Sequence, residues 1–320
     1  MSMNEAIQLE FRRFGGNHVG PNLLITAGVH GDEYLPMLAV GELIRRFDSD
    51  DRLRRELRGT LTLIPVVNRS AYQAGRRVGD DGRDLARTCP GRQDGTVTER
   101  VAYALGRQIV EADFYIDLHS GGTELCVLPL AGYMLHANAA IRQQQRKIAS
   151  VFGLPFAWGT SAELQGRSLS VARDAGVPAI YVEYLGAHRE LSELLDGAFA
   201  SAGINHPLLA GCLNVMRHLA MLPGAIQRCE DQQVAEDWRA GSGHMQISHP
   251  APIGGFLTLK LKLGQRVSRG ELLAEVESLF GGERHVMVAE QDGTVVMLRE
   301  YPRINEGDSV AVIVETGEQS

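Results

Sequence analysis

The 320-residue chain has few lysines, few cysteines and no long apolar run. Its four cysteines, Cys89, Cys126, Cys212 and Cys229, form no CxxC pair, so we expect neither a disulfide framework nor a cysteine zinc site. No apolar stretch approaches the roughly 18 residues of a membrane span. The first residues also lack the charged and then apolar layout of a secretory signal. We therefore expect a cytoplasmic protein that does not bind membranes.

The charge balance is acidic, with 32 Lys and Arg against 39 Asp and Glu, a formal net charge of −7. A nucleic-acid binder needs a basic face to displace counterions, so nucleic acid is not an expected partner. Hydrophobic residues make up 44% of the chain and charged residues 22%, which is typical of a globular protein with a sizeable core. The length is sufficient for two domains of roughly 150 residues each.

Short strand-like and helix-like segments alternate over residues 1–223. Strands are predicted at 22–26, 61–67, 114–118 and 179–184, and helices at 34–47, 98–112 and 140–152. This alternation predicts an α/β domain with a mostly parallel sheet flanked by helices. The polar loop 68–96 is long enough to suggest a function.

The pattern changes near residue 224. Residues 224–243 are polar and contain several glycines, as in a linker, and residues 244–320 predict a small all-β, barrel-like domain. This domain contains a weak internal repeat, because the segments beginning at Gly255 and Gly270 resemble those beginning at Gly293 and Gly307. Two unrelated hairpins with common turn residues would also explain the similarity.

Three predicted strands are followed by residues that can bind a metal. The segments are Gly28-Val29-His30-Gly31-Asp32-Glu33, Asp117-Leu118-His119-Ser120-Gly121-Gly122 and Val182-Glu183-Tyr184. Ligands of open α/β sheets bind beyond the carboxyl ends of the strands, so we expect these segments to converge on one crevice.

Two histidines and one glutamate, here His30, His119 and Glu33, form a familiar catalytic zinc set that leaves a position for water. Structural roles are the alternative. Each histidine could be a hydrogen-bonded residue at a strand end. Glu33 could complement a helix dipole, with Asp32 as the N-cap.

The ordered motif His30-x-x-Glu33, Asp117-Leu118-His119-Ser120-Gly121-Gly122 and Val182-Glu183 resembles the succinylglutamate desuccinylase/aspartoacylase family of the zinc carboxypeptidase superfamily. The resemblance covers about residues 20–220. It implies one Zn²⁺ per chain, bound by His30, Glu33 and His119 in a catalytic domain. It also implies that Glu183 acts as general base and general acid.

The resemblance extends to the loop 68–96, where family members carry an arginine followed by Asp-Leu-Asn-Arg. This chain has Arg76-Arg77 and then Asp84-Leu85-Ala86-Arg87. By this likeness Arg77, or its neighbour Arg76, stabilises the oxyanion, and Arg87 binds the substrate carboxylate. Ala86 replaces the family asparagine and removes one hydrogen bond, which leaves Arg87 alone or together with Arg167.

Residues 244–320 are similar to biotinyl and lipoyl barrel domains, which carry their cofactor on a lysine at a tight turn. The chain has only three lysines, Lys147, Lys260 and Lys262, and none follows position 262. We therefore exclude a cofactor-carrier function for this domain. A lid or an oligomerisation role is left, so the sequence is compatible with a homo-oligomer.

Together these features predict a zinc-dependent deacylase that hydrolyses the amide bond of a small N-acyl amino acid or a related N-acylated amine. The alternative is a metallocarboxypeptidase that acts on short peptides with the same zinc site. A carrier or structural zinc protein is disfavoured by the missing lysine and by the open three-ligand set.

Overall fold

The structure is a computed structural model that describes residues 7–245 and 248–315. Up to residue 236 the strands are β1 (Arg12–Gly15), β2 (His18–Thr26), β3 (Arg58–Ile64), β4 (Phe114–His119), β5 (Leu125–Met134), β6 (Phe156–Thr160), β7 (Ala179–Leu185) and β8 (Gln233–Glu236). The helices are α1 (Tyr34–Ser49), α2 (Asp51–Glu56), α3 (Arg69–Ala74), α4 (Val97–Val110), α5 (Ala139–Phe152), α6 (Ser168–Ala175), α7 (Ala187–Leu195), α8 (Ala198–Ala202) and α9 (Pro207–His218). None of these described helices has both the length and the apolarity needed to cross a bilayer.

The strands form one large, mostly parallel sheet, which confirms the predicted fold class. Its order runs β1-β3-β2-β4-β7-β5, with β6 and β8 following beyond β5. Strands β3, β2, β4 and β7 are parallel, whereas β5 pairs with β7 in the antiparallel sense. The predicted strand 61–67 ends earlier, at Ile64, because Pro65 has no N–H to donate to the ladder.

Helices cover both faces of the sheet, so successive strand residues point into two separate cores. Leu23 and Ile25 pack against α1, α5 and α9, whereas Leu24 and Tyr115 pack on the side of α4 and α6. Side chains alternate along a strand, so Asp117 and His119 face the same side as Tyr115. The metal-competent residues of β4 therefore lie on the α4/α6 side.

The remaining strands are β9 (Gly255–Leu259), β10 (Arg266–Val267), β11 (Leu272–Glu277), β12 (Arg284–Val288), β13 (Gly293–Arg299), β14 (Arg303–Ile304) and β15 (Ala311–Val314). Their pairings repeat. Strand β10 pairs with β13 through Val267 and Gly293, and β14 pairs with β9 through Ile304 and Gly255. These are the positions that the internal sequence repeat aligns, so the two halves form equivalent pairs.

The all-β region joins the large sheet. Strand β13 pairs with the first half of β5, where Met297 lies opposite Val127, and β6 pairs with the second half of β5. The segment 224–243, which we predicted as a linker, contains β8 in the same sheet. Such pairings join strands far apart in the sequence, so local composition does not reveal them.

Candidate active site

Two histidine rings converge on the carboxylate of Glu33. His30 Nδ1 lies 2.6 Å from Glu33 Oε1, and His119 Nδ1 lies 3.0 Å from Glu33 Oε2. All three side chains are buried, and they offer ligand atoms within 4.8 Å of one another. Burial alone would raise the pKa of Glu33, but the two histidines lower that pKa to about 2. An ionised carboxylate therefore lies between two imidazoles.

The loop after β2 brings His30 and Glu33 together because two of its glycines have no side chain. Gly28 adopts a φ of 68°, and a Cβ on Gly31 would collide with the backbone of Ala71. The loop after β2 therefore packs directly against the backbone of α3, the first helix after β3. Glu33 occupies the N-cap position of α1, yet its side chain makes no cap hydrogen bond and contacts the histidines instead.

The Nε2 atom of each histidine, the ring nitrogen that does not face Glu33, lies near a second carboxylate. His30 Nε2 lies 3.2 Å from Asp84 Oδ1, and His119 Nε2 lies 3.1 Å from Asp117 Oδ2. Asp117 is completely buried and also accepts hydrogen bonds from Thr26 Oγ1, at 2.7 Å, and from Ser168 Oγ. Metal-binding histidines are usually oriented in this way by a carboxylate. The two Nδ1 atoms and one carboxylate therefore fit the donor set of Zn²⁺.

Glu183 lies beside this cluster, because β7 pairs with β4 so that Glu183 is opposite His119. Burial raises the pKa of Glu183 to about 8. Within the described ranges, no arginine lies within 4 Å of its carboxylate as an ion-pair partner. Glu183 therefore forms no structural salt bridge with an arginine in that part of the chain. The carboxylate lines the same pocket as the histidines.

The four predicted arginines separate into three that line the pocket and one that does not. Arg77 donates from Nη2 to Asp84 Oδ2 at 2.9 Å, and Arg167 donates from Nη2 to the Gly243 carbonyl at 3.1 Å. Burial and the neighbouring Arg167 lower the pKa of Arg87 to about 10. Arg76 is exposed, donates to the carbonyl of Val78 and does not line the pocket.

Between these groups is a pocket with a polar and an apolar wall. The apolar lining comes from Met134 at the end of β5, Leu169 in α6 and Met245, and Ala86 borders the pocket near Arg87. Gly243 and Met245 belong to the segment that leads into the all-β region. The end of the predicted linker therefore forms part of the pocket wall.

The catalytic-domain model of the succinylglutamate desuccinylase/aspartoacylase family matches residues 19–201, more than half of the chain. The chain belongs to this family. It is 31% identical over 314 residues to N-alpha-acetyl-L-2,4-diaminobutyric acid deacetylase from Halomonas elongata, covering 93% of this chain and 83% of that protein.

Solved structures show the same fold. The product-bound ectoine utilization protein EutE (DoeB) from Ruegeria pomeroyi has 28% identity and a TM-score of 0.80, covering 96% of this chain and 88% of that one. A succinylglutamate desuccinylase/aspartoacylase from Rhodobacter sphaeroides has 24% identity and a TM-score of 0.80, covering 97% and 90%. The second likeness concerns the fold alone.

Sequence reasoning missed several residues of this family member's site. Asp84 was recognised only as part of a motif, although it contacts both His30 and Arg77. Glu190 accepts hydrogen bonds from Leu35 N and Ser120 Oγ, both at 2.6 Å, and burial raises its pKa to about 7.

Glu190 therefore takes the capping role at the start of α1 that Asp32 was considered for. Asp32 instead accepts hydrogen bonds from the backbone N–H and the hydroxyl of Thr123. Asp84 could have been found by seeking a carboxylate partner for each ligand histidine. Glu190 has no local signal, because its partner Leu35 lies 155 residues away.

Proposed function

We propose that this family member is a zinc-dependent deacylase that hydrolyses the amide bond of a small N-acyl amino acid, with N-acetyl diamino acids as the first substrates to test. The observation that carries the proposal is a buried zinc donor set beside a pocket, which its two histidines line together with a separate buried carboxylate and basic residues. The relative from Halomonas elongata, a deacetylase of an N-acetylated diamino acid, supports this substrate class.

His30, Glu33 and His119 would hold the ion, with Asp84 and Asp117 fixing the two imidazole rings. When bound, Zn²⁺ supplies a Lewis acid that polarises the amide carbonyl and lowers the pKa of water. The negative charge on Glu33 and the two histidine nitrogens that face it suit such an ion. One ion per chain is expected from this donor set.

Glu183 has the position of the proton-transfer group. Its carboxylate takes a proton from the attacking water and then gives that proton to the leaving nitrogen. Arg77 borders the same pocket and donates hydrogen bonds to the amide oxygen as negative charge develops there. Asp84 holds the Arg77 guanidinium in place through two hydrogen bonds, of 3.2 and 2.9 Å.

Arg87 binds the carboxylate of the substrate, with Arg167 as the neighbouring second cation. Burial and the repulsion between the two guanidinium groups lower the pKa of Arg87, and an anion bound between them relieves that repulsion. Ala86 supplies no amide at this point. Carboxylate recognition therefore rests on the arginine fork, whose planar geometry matches a carboxylate.

The test compares zinc-loaded wild type with a Glu183→Gln variant on N-acetyl amino acids and on dipeptides. We expect hydrolysis of the N-acetyl amino acids, and a fall in kcat of roughly 10³-fold in the variant, because glutamine cannot accept the proton. Elemental analysis should show unchanged zinc, and Glu111→Gln, at an exposed position, should retain full activity. A zinc-replete Glu183→Gln protein with near-normal turnover would contradict the mechanism, and preferential cleavage of dipeptides would favour the carboxypeptidase.

A further inference from the structure

The hydroxyl group of Tyr181 is buried in the pocket without a hydrogen-bond partner in residues 7–245 and 248–315. Buried hydroxyls are almost always paired, since an unpaired one loses its hydrogen bonds to water without replacement. Tyr181 is two residues before Glu183 on β7, so both side chains point to the same face of the sheet. The mechanism above leaves this group unused.

Gly132 determines where the Tyr181 ring points. Strand β5 places Gly132 opposite Tyr181, and a Cβ at Gly132 would collide with both the ring and the hydroxyl oxygen. The hydroxyl therefore lies over β5, whereas His119 lies on β4, on the other side of β7. The Tyr181 ring thus extends away from the metal ligands, at the end of the pocket beyond Glu183.

The surroundings of this hydroxyl leave it available to a ligand. Thr160 also lines this end of the pocket, and its hydroxyl donates to the Tyr133 carbonyl at 3.3 Å but makes no hydrogen bond of acceptable geometry with Tyr181. Met134 supplies apolar surface beside it. Burial raises the pKa of Tyr181, so the phenol stays neutral and can both donate and accept a hydrogen bond.

A substrate with its amide at Glu183 and its carboxylate at Arg87 has two groups left to place: the acyl group, which ends in an apolar methyl when it is acetyl, and the side chain of the amino acid that is released. We propose that the Tyr181 hydroxyl forms a hydrogen bond with a polar group at the end of that side chain. The enzyme then selects N-acyl amino acids with a short side chain that ends in an amine or a hydroxyl over apolar side chains of equal size. An apolar side chain leaves the buried hydroxyl unpaired. This inference rests on the proposed function.

The test uses three substrates whose side chains have the same number of heavy atoms: Nα-acetyl-2,4-diaminobutyrate, N-acetylhomoserine and N-acetylnorvaline. For wild type we expect kcat/KM to be roughly 10- to 100-fold higher for the two polar substrates than for N-acetylnorvaline, the range of one hydrogen bond to a buried group. In Tyr181→Phe this preference should disappear, mainly through a higher KM for the polar substrates. Hydrolysis of N-acetylnorvaline should not fall.

Tyr133→Phe is the matched control. The Tyr133 hydroxyl donates to Glu236 Oε1 at 2.6 Å, so its removal should lower the melting temperature without changing substrate preference. Tyr181→Phe should not lower the melting temperature, because it removes an unpaired group. If Tyr181→Phe keeps the wild-type preference, this inference is overturned and the proposed function stands. If zinc-loaded wild type hydrolyses no N-acetyl amino acid, the proposed function is overturned and the inference with it.

Discussion

The substitution Asp117→Asn tests whether a carboxylate that is not itself a ligand controls metal binding. His119 presents Nδ1 to the cluster, so Nδ1 must be free of a proton to bind a metal, and Nε2 must carry the proton. The Asp117 carboxylate lies 3.1 Å from Nε2 and stabilises a proton on that nitrogen. An asparagine whose amide NH₂ takes the place of Oδ2 would donate to Nε2, which favours the wrong tautomer.

The expected cost follows from the role of such partners. Loss of a carboxylate that orients a metal-binding histidine typically weakens metal affinity by about 10- to 100-fold. At roughly 1.4 kcal/mol for each factor of ten, this is about 1.4 to 2.8 kcal/mol of binding free energy. The variant also loses charge-assisted hydrogen bonds from Thr26 and Ser168, so the metal-free protein should unfold at a lower temperature.

Zinc affinity is measured by competition with a chelator of known affinity, and stability by thermal unfolding of the metal-free protein. Asp113→Asn is the control, since Asp113 lies just before the same strand and, among the residues that the structure describes, its side chain accepts a hydrogen bond from the backbone of Asn22 alone, at 2.7 Å. That variant should bind zinc as wild type does. An Asp117→Asn protein with wild-type zinc affinity and reduced stability would show that Asp117 is purely structural, and would refute the tautomer argument.

Three further predictions concern other parts of the molecule. Burial raises the pKa of Glu183 to about 8, and a bound dication lowers that pKa again because it favours the carboxylate. We therefore expect kcat/KM to fall at acid pH with an apparent pKa above the usual 4.5 and below about 8. A pH–rate profile in which activity falls only near pH 4 would contradict this. Arg87→Lys should raise KM at least tenfold with a smaller effect on kcat, whereas Arg76→Lys, at an exposed position, should change neither constant. If the two variants have the same KM in steady-state assays, the carboxylate does not bind at Arg87. A chain ending at Gly243 should lose several kcal/mol of stability, because β13 and β15 bury four apolar side chains in the core on the α4/α6 side, each worth roughly 1.5–3 kcal/mol. If the truncated chain unfolds in urea at the wild-type midpoint, the stability of residues 1–243 does not depend on the all-β region.

Local patterns were sufficient to predict most of the fold and the convergence of the site. Strand residues alternate between two faces, and helices follow most strands, so the α/β class could be read from hydrophobic periodicity. The ends of β2, β4 and β7 carry His30, His119 and Glu183, and parallel strands place their ends at one edge of a sheet. The family resemblance then assigned roles to residues whose convergence this general rule had predicted.

The strand ends that carry metal-competent groups could thus be identified from local residue patterns, because the residues of one strand or loop are held together by the covalent chain. Which groups from distant parts of the chain contact each other depends on the tertiary structure. Examples are Asp84 beside His30, Glu190 at the start of α1, the Tyr181 hydroxyl over Gly132, and β13 against β5. These contacts join residues tens to hundreds of positions apart. They depend on strand register and packing, which no local pattern of residue types encodes.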